Sequence, residues 1–139
     1  SPLAAVAEEG RAGGNVHAHA VRRWVDSVVV GLGLCPWAGP ADEARRIRVV
    51  ASLSASEEGV LADLLAEARR LPPPATVEPP PGEATTTLLV CPYVPQWERF
   101  DDFHVFYSEK IRNGDALLQD FGLKVVAFHP GCEASGRSL

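Results

Sequence analysis

The chain has 139 residues, a formal charge of −5, three cysteines and no methionine. That length suits one domain with a real core, and an acidic balance with scattered arginines disfavours nucleic acid as a partner, because phosphate binding needs a clustered basic face. An odd cysteine count without paired spacing argues against a disulfide framework, and the absence of any bilayer-length apolar run argues against a membrane span, so a soluble protein of a reducing compartment is expected.

Residues 1–14 are small and glycine-rich without a sustained apolar face, and are expected to form a flexible lead-in. The apolar positions Val21, Trp24, Val25, Val28, Val29 and Leu32 recur at helical spacing and predict a first helix over 21–32. Gly31, Gly33 and Pro36 end it. Residues 47–53 read as a strand, and Ser54 with Glu57 three positions on forms a capping box opening a second helix. Its expected buried stripe is Val60, Leu61, Leu64, Leu65, Ala68 and Leu71, and the prolines from Pro72 stop it. Residues 72–82 form an extended proline-rich connector. A second strand follows over 85–91. A third helix carries Phe103, Phe106, Ile111, Leu117, Leu118 and Phe121, capped by Asp101 or Asp102 and closed by Gly122. A last strand is expected over 123–128, ending at His129-Pro130. The order is a helix followed by β-α-β-α-β: one α/β domain over 15–130 with a three-stranded parallel or mixed sheet, a ferredoxin-like α+β arrangement being the alternative, and a tail over 131–139.

The carboxyl ends of strands in open α/β sheets are where ligands bind. Here they carry Cys91-Pro92-Tyr93 and His129-Pro130-Gly131-Cys132. The apolar run Gly31-Leu32-Gly33-Leu34 leads into a similar Cys35-Pro36-Trp37. Cys35 with His129 would supply a thiol and its base. Against that, Cys35 follows a helix carboxyl end among Leu32, Leu34 and Trp37, a setting that favours a neutral, packed thiol. Zinc could draw on Cys35, Cys91, His129 and Cys132, although only the last two are closely spaced. Cys-Pro dipeptides also match a heme-regulatory motif, with Trp37 and Tyr93 as aromatic neighbours. His17 and His19 fall in the approach to the first helix, and His104 is expected to face water. No G-x-S-x-G elbow, H-E-x-x-H pair or phosphate-cradling glycine loop is present.

The series Trp24, Leu34-Cys35-Pro36-Trp37-Ala38, Thr86-Thr87-Leu88-Leu89-Val90, Phe100-Asp101-Asp102-Phe103 and Ala127-Phe128-His129-Pro130 resembles the domain of unknown function 1415 family, found in bacteria and plastid-bearing eukaryotes. The resemblance spans about residues 20–130 and marks Cys35, Pro36, Trp37, His129 and Pro130 as important. Together with the missing methionine it implies a processed plastid protein beginning at Ser1, in the stroma or at the stromal face of the thylakoid, with the cytoplasm or mitochondrial matrix as alternatives. The expected function is that of an accessory protein binding a larger protein complex, such as photosystem II during assembly or repair, with membrane association only through that partner. The alternative is an enzyme, or a heme- or metal-binding protein, that uses Cys35 and His129.

Overall fold

A computed structural model of the chain describes residues 6–8, 15–30, 47–71, 84, 86–112, 122–123 and 125–131. The elements, in order, are strand β1 (Val6–Glu8), helix α1 (Val16–Trp24), strand β2 (Ile47–Ser52), helix α2 (Glu57–Arg70), strand β3 (Thr86–Val90), a 3-10 turn (Pro95–Glu98) and helix α3 (Phe100–Phe106). Helices α1 and α3 each run on into a wider π-helical stretch, Val25–Val30 and Tyr107–Arg112. None of the described helices is long and apolar enough to cross a membrane.

Strands β2 and β3 pair in parallel, Ile47 opposite Thr86 through Ala51 opposite Val90. A parallel pair cannot close through a tight turn, and α2 lies in the connection that carries the chain back. On the other side of β2, β1 runs antiparallel, with Val6 opposite Ser52 and Glu8 opposite Val50. A strand therefore forms inside the stretch expected to be a lead-in. The segment expected as a last strand, 123–128, joins no ladder among its described residues. The α/β reading holds for the parallel β2-α2-β3 unit.

Val49, Val50 and Ala51 are successive and all buried, so β2 is covered on both faces. Alternation sorts its side chains. Val49 and Ala51 pack with Ala18 of α1, with Val21, Ile47, Leu88 and Val90 against them. The opposite face carries Arg48, Val50 and Ser52 toward α2, and beyond it Val60, Val94, Trp97 and Phe106 form a second core with Leu89 and Cys91 against it.

Helix α1 starts at Val16, five residues before the expected helix. Asn15 caps it, its Oδ1 accepting from the backbone N–H groups of His17 (2.9 Å) and Ala18 (3.1 Å). His17 and His19 accordingly sit on the helix rather than in its approach. Trp24, expected on the buried stripe, is 50% exposed, and Ala18 takes the central packing position.

Two further expectations fail at α2. Its cap is Ser56, whose Oγ accepts from the Gly59 N–H at 3.1 Å, while Ser54 turns toward Asp63. Its buried face is Val60, Asp63, Glu67 and Ala68, with the leucines only half-buried. The cause lies on β2. Arg48 points at α2 and grips Glu67 at both carboxylate oxygens (3.1–3.3 Å), and Ser52 presents a hydroxyl to Asp63, so the helix turns its acids inward. The start of α3 also differs, at Arg99 with no side-chain cap. Its first-turn acids Asp101 and Asp102 still complement the helix dipole.

Gly59 is fixed by space, since an added Cβ would lie 2.7 Å from both Cβ and Oγ of Ser54. Helix propensity alone would reward Gly59→Ala by about 1 kcal/mol. We expect a net loss of stability instead, and a gain when the change is made in a Ser54→Gly background; a gain in both backgrounds by urea denaturation would refute the contact. Glu67→Ala takes a bidentate carboxylate partner from a mostly buried guanidinium and should cost on the order of 3–5 kcal/mol. Arg70, 3.7 Å from the same carboxylate but 60% exposed, should change stability by less than about 1 kcal/mol on conversion to Ala. Equal losses for the two variants would show that burial does not set the strength of this network.

Candidate functional site at the carboxyl ends of the parallel strands

β2 ends at Ser52, and the period-two alternation of an extended chain puts Ser54 on the same side, facing the second turn of α2. There the buried Asp63 carboxylate accepts through one oxygen, Oδ2, from Ser52 Oγ at 2.5 Å and Ser54 Oγ at 2.9 Å. The Ser54 N–H donates to Ser52 Oγ at 3.2 Å, closing the strand-to-helix turn. On the neighbouring strand Cys91 follows Val90, the partner of Ala51. Burial, then the negative charge of Asp63, push the Cys91 thiol up from 9.0 to about 12. It is a neutral donor to the Leu89 carbonyl, 3.8 Å away. Burial thus opposes formation of the nucleophilic thiolate at Cys91. Among the described residues, the two serines are hydrogen-bonded to a carboxylate and not to an imidazole.

Tyr93, two residues further, turns to α1. Its hydroxyl accepts from Asn15 Nδ2 at 3.1 Å, and its ring meets His17 edge-on at 5.3 Å. One asparagine thus caps the helix with its oxygen and fixes the β3 exit with its nitrogen.

His129 belongs to a third group. Its Nδ1 accepts from the Gly131 N–H at 2.9 Å, so Nε2 carries the proton that it donates to the Trp97 carbonyl at 2.6 Å. The ring stacks on Phe103 (5.3 Å between centroids, 29° between planes) and stands edge-on to Phe100. A Cβ at Gly131 would lie 3.1 Å from Nδ1, so a larger residue there would have to displace the ring by a few tenths of an ångström. Trp97, buried, donates its indole N–H to Glu57 Oε2 at 2.8 Å. Glu57 therefore serves the tryptophan rather than the expected capping box. His104, expected in water, is half-buried against Phe100 at 5.5 Å.

Of the residues singled out from sequence, Cys91 packs on the Trp97 core beside Asp63, Tyr93 locks α1, and His129 is held by Trp97. Cys35, Pro36, Trp37 and Cys132 lie outside the described residues, as does the connector 72–82, so the pairing of Cys35 with His129 and the four-residue zinc set are not placed. Among the described residues no three His, Cys, Asp or Glu side chains converge as a metal site. Sequence reasoning missed Asp63, gave Glu57 a capping role and did not single out Trp97. Asp63 sits between apolar positions of an amphipathic helix, and the two serines two residues apart at the strand end were the signal for its partner.

The raised thiol has a consequence in alkali. Below pH 9 folded and unfolded chains both keep the Cys91 proton, whereas between pH 9 and about 12 the unfolded chain loses it first. Folding stability should therefore fall as pH rises through that window, and Cys91→Ala should remove the Cys91 part of the slope. Urea denaturation at pH 8 and pH 10.5 reads this difference; identical slopes in the two proteins would contradict it.

No curated protein and no protein of known structure matches the chain. The family described as protein of unknown function (DUF1415) matches over residues 16–138, which takes in the described site from Asn15's neighbour Val16 to Gly131. On that match the chain belongs to the DUF1415 family.

Proposed function

We propose that the protein is a binding component of a larger protein assembly. The observation that carries this reading is the contrast between its polar and apolar groups. At the carboxyl ends of the strands the described reactive groups are engaged: the Cys91 thiol is neutral, both His129 nitrogens are hydrogen-bonded, and Asp63 is held by two serines. On the surface, by contrast, stand large apolar side chains that a soluble domain gains by covering, with Phe128 76% and Val16 69% exposed, and Trp24, Val105 and Val126 half exposed or more. Aromatic anchors of this kind dominate binding energy at protein interfaces. In the plastid setting that the family resemblance implies, the assembly is a photosynthetic complex such as photosystem II, met at the stromal face of the thylakoid during assembly or repair.

Gently solubilised extract of the source organism, separated by native electrophoresis, tests the proposal. The protein should migrate in a complex several times the mass of its own monomer that survives mild detergent. Migration only as a free monomer would refute it.

A further inference from the structure

We draw no further inference here: the strongest candidate, the exposed apolar stripe of Val16, Ala20 and Trp24 along the outer face of α1, is flanked by exposed Asp26 as well as by Arg23 and His19, and nothing in the structure shows what covers it.

Discussion

Trp97 is held from both ends, and the second core depends on it. Its indole N–H reaches the Glu57 carboxylate in the first turn of α2, its carbonyl takes the His129 proton, and its ring meets Phe103 and Phe106 at 5.2 and 4.7 Å. One side chain thereby joins the start of α2, the 3-10 turn, α3 and the His-Pro-Gly turn. Burying an indole is favourable only when its N–H finds an acceptor. Glu57, placed by the Ser56 cap one residue earlier, supplies that acceptor, so the geometry of a helix start decides where the aromatic core can form.

The polar layer between β2 and α2 works by a different logic. Arg48 with Glu67, and Ser52 and Ser54 with Asp63, are expensive to bury and would be matched or exceeded in stability by well-packed apolar side chains. What they contribute is position. Slipping the strand by one residue would turn Arg48 and Ser52 to the α1 side and take these partners away from two buried carboxylates. The same carboxylate that fixes the turn adds to the burial that raises the Cys91 thiol.

The parallel unit was legible because each element carries a local mark. β2 is an apolar β-rich run, α2 is an amphipathic segment stopped by proline, and β3 is threonine- and leucine-rich and stops before Pro92. The start of α1 was not. Asn15 is a good cap, but it stands among small residues, and the valine pattern downstream drew the helix toward 21–32. The inward acids of α2 were also illegible. Periodicity assigns a leucine-rich side to the core, and only the tertiary pairing with Arg48 and Ser52 rotates the helix away from it. At the candidate site, sequence marked Cys91, Tyr93 and His129 as neighbours of strand ends; Cys91 and Tyr93 do follow β3, whereas His129 follows a segment that joins no ladder among its described residues. Their roles came from long-range partners, 78 residues away for Tyr93 and 32 for His129, which no spacing rule reveals.

Among the described strands none is joined to its neighbour by a hairpin. Ile47 meets Thr86 and Val6 meets Ser52, so both described ladders join residues about forty positions apart. Closing a loop ten times longer than a hairpin turn costs about 2 kcal/mol more in chain entropy, before the first ladder bond repays any of it. Helix α2 offsets part of that, because it lies within the loop between β2 and β3 and shortens the flexible chain that must be closed once it forms. A helix that forms from local contacts thus lies inside the loop that the parallel ladder has to close.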